Sequence, residues 1–236
     1  MNKKIRLIGI DIFRGWAILL MIIFHFSYDL QHFNIIDFHI QSNLFFQWFR
    51  FLIVTMFLLI VGISLKLAHL HGINWRAIKK RTLILGSASI IVTVGSYIEF
   101  PNTWIYFGIL HFVLVASLVS LPLLNHPYIA LSLAISTFTA FHLDILNMHG
   151  LFNLLVTPLN LPSDATEDVV RFIPWITFVL IGVALTTLNF HKPIFDNSFF
   201  NRPSKIHNTF AFIGKHSLVI YLIHQPILFG VFLLFQ

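Results

Sequence analysis

Residues 10–30 read IDIFRGWAILLMIIFHFSYDL, a mostly apolar run that carries a few ionisable side chains. About 20 apolar residues of helix cross a hydrocarbon core of about 30 Å. Basic residues precede the run, as in a signal peptide, but no small-residue cleavage pattern follows it. Arg14, His25 and Asp29 also interrupt its apolar character. The stretch therefore predicts a retained transmembrane helix over residues 12–30.

The composition of the whole chain points the same way. Of the 236 residues, 57% are hydrophobic and only 10% are charged, whereas average soluble domains carry roughly 25% charged residues. Because such a chain cannot cover its surface for water, we expect an integral membrane protein. Soluble enzymes, nucleic-acid-binding proteins and disordered chains are largely excluded. The absence of cysteine excludes disulfides, thiolate catalysis and cysteine-based metal sites.

Seven stretches are long and apolar enough to be read as membrane spans. They cover residues 12–30, 45–68, 80–98, 104–123, 127–143, 171–190 and 210–234. The sequence shows no internal repeat and no separable soluble segment. It therefore predicts an all-α polytopic membrane helix bundle of about seven transmembrane helices, forming one domain over residues 1–236.

Lys and Arg alternate between the segments that join these spans. They are absent from residues 31–44, 99–103 and 144–170, the last of which is acidic at Asp164, Glu167 and Asp168. They are present at Lys3, Lys4, Arg6, Arg76, Lys79, Lys80, Arg81, Lys192, Arg202 and Lys205. Since basic loops stay in the cytoplasm, the pattern predicts a cytoplasmic N-terminus and an external C-terminus.

The first predicted helix concentrates ionisable side chains, namely Asp11, Arg14, His25 and Asp29, with His32 just beyond. Such groups are costly inside a bilayer, so each is a functional candidate. Eleven residues separate Arg14 from His25, which at about 100° per residue returns to nearly the same helix face. Asp29 lies one turn beyond His25. A polar face therefore begins at the cytoplasmic boundary and resumes about 16 Å further on.

The His25–Asp29 spacing suits general-base chemistry. A carboxylate four residues away can hold one imidazole nitrogen and leave the other free as a base. The alternative is a buried pair that only fixes helix packing. We favour a functional pair, because burying it in lipid is expensive without a use.

Four more histidines lie in or beside the predicted spans. For His111 and His224, a functional role and an interhelical hydrogen bond are both consistent with the sequence. For His142 and His216 a structural or interfacial role is favoured. His142, Asp144 and His149 offer possible metal ligands, but they lack the HExxH spacing, and no metal is expected. The basic cluster Lys79, Lys80 and Arg81 is read first as an orientation signal that contacts anionic lipid.

Several segments together resemble a known family. The segment Ile10 to Met21, continuing to His25, resembles the opening of transmembrane acyltransferases. It is similar to short bacterial relatives of the heparan-alpha-glucosaminide N-acetyltransferase catalytic domain. Weaker similarities lie at Val61–Ser64, at Gly108–His111 and at Gly214–Pro226, which contains Tyr221 and His224.

The resemblance implies a reaction and roles for particular residues. Such enzymes take an acetyl group from cytoplasmic acetyl-CoA and place it on a sugar amine or hydroxyl across the bacterial inner membrane. His25 would be the base or a transient acyl carrier, and Arg14 would bind the CoA side. From its spacing, Asp29 would fix the His25 tautomer. Asp11, His111 and His224 complete the candidate substrate-binding residues.

Two features depart from the better-known members, which have about ten or more spans and larger external parts. The acceptor pocket would therefore be minimal, take a lipid-linked sugar, or depend on a partner or homo-oligomer. One alternative function is a small proton-coupled transporter that uses His25, Asp29, His111 and His224 as a relay. It predicts an inverted repeat, which the sequence does not show. A membrane scaffold is the other, and it leaves the polar face of the first helix unexplained.

Overall fold

The computed structural model describes residues 7–37, 39–146, 148, 154–162, 169–202 and 204–234. Every regular element in these ranges is helical, which confirms the all-α prediction. Some residues used in the sequence interpretation lie outside the described residues: Lys3, Lys4, Arg6, His149, Asp164, Glu167 and Asp168.

The helices follow one another along the chain with short connections. They are α1 (Ile8–His32), α2 (Leu44–Ala68), α3 (Trp75–Glu99), α4 (Ile109–Val119), a 3₁₀ turn (Leu121–Leu123), α5 (Pro127–His142), α6 (Phe172–Thr187), α7 (His191–Phe195), α8 (Ser198–Asn201), α9 (Lys205–Lys215) and α10 (Ser217–Leu233).

Three of these helices are long and apolar enough to cross a membrane. They are α1, α2 and α3, each of 25 residues. Two broken helix pairs, α6 with α7–α8 and α9 with α10, bring the number to five if each pair is counted as one span. The chain is therefore a multi-pass membrane protein, while the count of seven spans and the orientation remain predictions.

The fourth predicted span is helical over only part of its length. The helix α4 has 11 residues, about 16 Å at 1.5 Å per residue. The preceding segment is held by α3 instead: Ile105 N donates to Ser96 Oγ at 2.9 Å, and Thr93 Oγ1 donates to Ile105 O at 2.9 Å. Because these side chains satisfy the backbone of Ile105, the segment before α4 gains nothing by becoming helical.

The seventh predicted span, 210–234, is not one continuous helix, so its predicted boundary is wrong. The chain breaks at His216, and α9 and α10 meet at an angle of 84°. The break falls in the polar run Gly214–Ser217. The His216 imidazole also lies 2.9 Å from the Phe212 carbonyl oxygen, and side chains that compete for backbone groups favour a helix end.

By the distribution of contacts, the described residues form two compact units. The first unit comprises Met1–Ile60 and Phe190–Gln236, and the second comprises Val61–Asn189. The prediction of a single domain therefore remains a prediction.

In the first unit, α1 packs against α9 and α10. Backbones touch directly at two glycines: a Cβ on Gly15 would overlap the Phe210 carbonyl oxygen, and one on Gly214 would overlap that of Asp11. Trp16 stacks on the Phe210 ring at 4.0 Å. The apolar core beyond this contact is formed by Ile18, Met21 and Ile53, with Leu20, Ile22, Phe24, Phe49, Ile213, Ile220 and Tyr221 around them.

In the second unit, α5 packs along α6. Thr137 and Thr177 bring their Oγ1 atoms within 3.2 Å across this contact. Leu65, Leu124 and Val183 form a buried core cluster. Beside this cluster, Lys66 is only 6% exposed, and its Nζ donates to Asn125 Oδ1 at 2.8 Å. The end of α2 is thereby tied to the turn before α5.

Candidate functional site

Four polar side chains meet where the second half of α1 packs on α10. They are His25, Asp29, His224 and Gln225, hereafter the α1–α10 cluster. The His25 and His224 rings are 4.9 Å apart between centroids and nearly perpendicular. Gln225 Nε2 donates to Asp29 Oδ1 at 2.8 Å. The structure thus brings three predicted site residues together and adds Gln225, which the sequence interpretation missed.

The backbone fixes the tautomers of both histidines. His25 Nδ1 lies 2.9 Å from the Met21 carbonyl oxygen, and His224 Nδ1 lies 2.6 Å from that of Tyr221. A carbonyl oxygen can only accept a hydrogen bond, so each Nδ1 carries the proton. Each Nε2 therefore carries a lone pair, which is the form that a general base requires.

The prediction that Asp29 fixes the His25 tautomer is therefore not what the geometry shows. The Met21 carbonyl, one helical turn before His25, takes that role. In a helix a side chain leans back toward the preceding turn, so the backbone oxygen competes well with a carboxylate one turn ahead. Asp29 instead turns to α10, where its Oδ1 accepts from Gln225.

Within the described residues, three buried atoms of the cluster have no hydrogen-bond partner: Asp29 Oδ2, His224 Nε2 and Gln225 Oε1. All three are acceptors. Asp29 is 0% exposed and His224 is 8% exposed, and a buried acceptor without a donor is costly. The cluster is therefore suited to a ligand that brings O–H or N–H groups.

The charge on α2 and the neighbouring rings complete the surroundings of His25. Arg50 lies near enough to interact electrostatically with the imidazole. The Phe24 ring packs edge-on against His25 at 5.8 Å. His32, predicted to share the polar face, packs on Phe229 at 5.4 Å.

Arg14 and Asp11 lie at the other end of α1, about 16 Å from His25 along the helix axis. Arg14 NH1 is 3.4 Å from both Asp11 Oδ1 and the Gly214 carbonyl oxygen. Asp11 is 3% exposed. These contacts tie α1 to α9 at the point of their closest approach, and Arg14 is still partly accessible, with 21% of its side chain exposed.

His111 belongs to the second unit, where it links α4 to α3. Its Nε2 lies 3.2 Å from Thr93 Oγ1, and that hydroxyl already donates to Ile105 O. Since the hydroxyl has one hydrogen, His111 Nε2 must donate to it. His111 Nδ1 is a buried acceptor with no partner in the described part of the chain. The interhelical hydrogen bond that the sequence left open is thus present.

The remaining histidines and the possible metal ligands are less informative. His142 and His216 are exposed, and each places Nδ1 2.9 Å from the carbonyl oxygen four residues earlier. Of the predicted metal ligands, His149 is outside the described residues. Among the residues that the structure describes, no group of three or more His, Asp or Glu side chains could hold a metal ion.

Comparison with known proteins identifies the family. The family model described as heparan-alpha-glucosaminide N-acetyltransferase, catalytic, matches residues 6–226. This range contains all of α1 and every residue of the α1–α10 cluster. Comparisons with curated proteins and with solved structures found no match. Because the matched range covers nearly the whole chain, this protein belongs to the family of the heparan-alpha-glucosaminide N-acetyltransferase catalytic domain.

Proposed function

We propose that this protein moves an acetyl group from cytoplasmic acetyl-CoA to an amine or hydroxyl of a sugar at the outer side of the bacterial inner membrane. The family supports membrane acetyl transfer in general. One observation carries the assignment of the site. His25 is held by the Met21 carbonyl in the tautomer of a general base, beside buried acceptors that have no donor among the described residues.

The chemistry follows from this arrangement. The acceptor O–H or N–H donates to His25 Nε2 while its heteroatom attacks the thioester carbonyl carbon. The proton moves to Nε2 as the new bond forms, the C–S bond breaks, and CoA leaves as a thiolate that the imidazolium can protonate. Such general-base help contributes about 10²–10⁴-fold to the rate.

Asp29 and His224 support this step in different ways. The Asp29 carboxylate stabilises the positive charge that develops on His25, as a fixed charge does in a site of low dielectric. His224 Nε2 accepts a second hydrogen of the acceptor, which orients the attacking group. Arg14 binds the CoA side of the donor, and Asp11 orients Arg14 through the 3.4 Å contact.

The first test needs no knowledge of the acceptor. Purified protein in nanodiscs should bind labelled acetyl-CoA saturably, with unlabelled CoA as competitor. Release of CoA is then measured with a panel of sugar amines and hydroxyls. Absence of donor binding by a folded sample would contradict the proposal and direct attention to ion flux, as the transporter alternative requires.

The second test addresses His25 itself. His25→Gln should bind acetyl-CoA normally but lose about 10²–10⁴-fold in kcat. His142→Gln is the matched control, because His142 makes the same contact to its own helix and is exposed. Full turnover by His25→Gln would remove His25 from the mechanism. Acetyl label retained covalently on wild-type protein would replace the base with an acyl carrier.

A further inference from the structure

A single side chain of α10 reaches the Asp29 carboxylate. Gln225 Nε2 lies 2.8 Å from Asp29 Oδ1, and the two residues are 196 positions apart in the chain. Asp29 is 0% exposed, and its Oδ2 has no hydrogen-bond partner in the described ranges. The orientation of this carboxylate therefore depends on Gln225.

A hydrogen bond to one oxygen fixes more than that oxygen. The torsion that turns a carboxylate about its Cβ–Cγ bond is broad and roughly two-fold. Holding Oδ1 sets the plane of the group and hence the direction of Oδ2. Without this bond the carboxylate would be free to rotate beside His25.

The kind of donor matters as much as its position. An amide donates without carrying charge, whereas a Lys or Arg in its place would add a positive charge beside the carboxylate. Gln225 thus holds Asp29 and leaves its full negative charge to act on His25. A neutral donor suits a carboxylate whose task is to offset a charge that develops only during the reaction.

We propose that Gln225 is a positioning residue for acetyl transfer, acting through Asp29; this inference rests on the proposed function. Gln225 does not itself touch the reacting atoms in this scheme. Its amide holds the Asp29 carboxylate in one orientation and leaves it uncompensated, so that the imidazolium formed on His25 is stabilised in the transition state.

The test is a double-mutant cycle on kcat, measured as CoA release, with Asp29→Asn, Gln225→Met and the double variant. Gln225→Met should lower kcat by about 100-fold, the scale of a small misplacement of a catalytic group, with little change in KM. In the Asp29→Asn background it should cause no further loss, because residues that act as one unit are not additive.

A charged donor provides an independent variant. Gln225→Lys keeps a donor to Asp29 and should fold, yet it should also lose kcat because the ammonium neutralises the carboxylate. Gln47→Met is the control, since Gln47 is an exposed amide on α2 that donates to the Gln41 carbonyl. It should leave kcat at the wild-type value.

The outcomes separate this inference from the proposed function. If wild-type protein releases no CoA with any acceptor, the proposed function fails first. If wild type is active, wild-type kcat in Gln225→Met or in Gln225→Lys would overturn the role of Gln225. Losses that multiply in the double variant would also overturn it, because they would show that Gln225 acts independently of Asp29.

Discussion

The two ends of α1 carry similar side chains and use them differently. At the first end, Asp11 and Arg14 pair with each other and with the Gly214 carbonyl. At the second end, Asp29 has one oxygen satisfied by Gln225 and the other without a partner in the described part of the molecule. One end is closed by its own contacts, and the other leaves acceptors for a ligand.

This difference separates two reasons for placing charge in a membrane helix. A charge whose partners are all supplied by the protein holds helices together, because removing either partner leaves the other unpaired. A buried acceptor without a donor weakens the fold, so its presence points to a use. Arg14 belongs to both groups, since it is tied to α9 and is still partly accessible.

The strongest way to break the comparison is to neutralise one carboxylate at each end. Asp29→Asn should lower kcat by about 10²–10³-fold, the cost of removing a fixed group that stabilises a developing charge. The Asn side-chain oxygen can still accept from Gln225, so the thermal stability should not fall. Asp11→Asn should lower the thermal stability instead, because it weakens the contact with Arg14.

Both variants are assayed for kcat by CoA release and for Tm in the same detergent. An Asp29→Asn protein with wild-type kcat would remove Asp29 from the mechanism. If Asp11→Asn left Tm unchanged, the first end of α1 would not be held by its ion pair.

A second, smaller effect concerns the backbone contact at the first end. Gly15→Ala should destabilise the protein by about 1–3 kcal/mol, since the new methyl group would overlap the Phe210 carbonyl and force α1 away from α9. Gly230→Ala in α10 is the matched control, because nothing lies within 4 Å of its position.

The measurement is Tm in detergent for each variant. The control should equal or slightly exceed the wild type, as alanine is the better helix former. Equal losses in both variants would show that the close approach of α1 and α9 adds nothing to stability.

Much of the fold could be predicted because hydrophobicity is local. The three long helices follow from runs of about 20 apolar residues. The shortness of α4 could not be predicted, because it depends on Thr93 and Ser96 capturing the backbone of Ile105. The break at His216 likewise depends on a polar run too short to interrupt an average of hydropathy over the whole span.

The site shows the same division between local and distant information. Helical spacing along α1 placed His25 and Asp29 on one face, and the family resemblance added His224. Gln225 was missed because its role arises from a contact between helices almost 200 residues apart. The one available signal was an amide beside His224 in an otherwise apolar helix, and a single sequence gives no reason to prefer it over a solvent-facing amide.

A third prediction sharpens the dual role of Arg14. Arg14→Met should raise the Kd for acetyl-CoA about tenfold, equal to about 1.4 kcal/mol, because it removes a charged donor from the CoA side. It should also lower Tm slightly, because the Gly214 carbonyl loses its contact. Equilibrium binding and Tm are measured on the same sample. A lower Tm with an unchanged Kd would assign Arg14 to packing alone.

The smallest expected effect lies in the second unit, at the link between α3 and α4. Thr93→Val removes the hydroxyl that accepts from His111 Nε2 and donates to Ile105. Hydrogen bonds between membrane helices average about 0.6 kcal/mol, so a small fall in Tm is expected. Thr137→Val is the comparison, since Thr137 also bonds across helices, to Thr177. A loss of several kcal/mol for Thr93→Val alone would mean that the segment before α4 depends on this one hydroxyl. The second unit would then contain a polar contact as decisive for its fold as the Asp11–Arg14 pair is for the first end of α1.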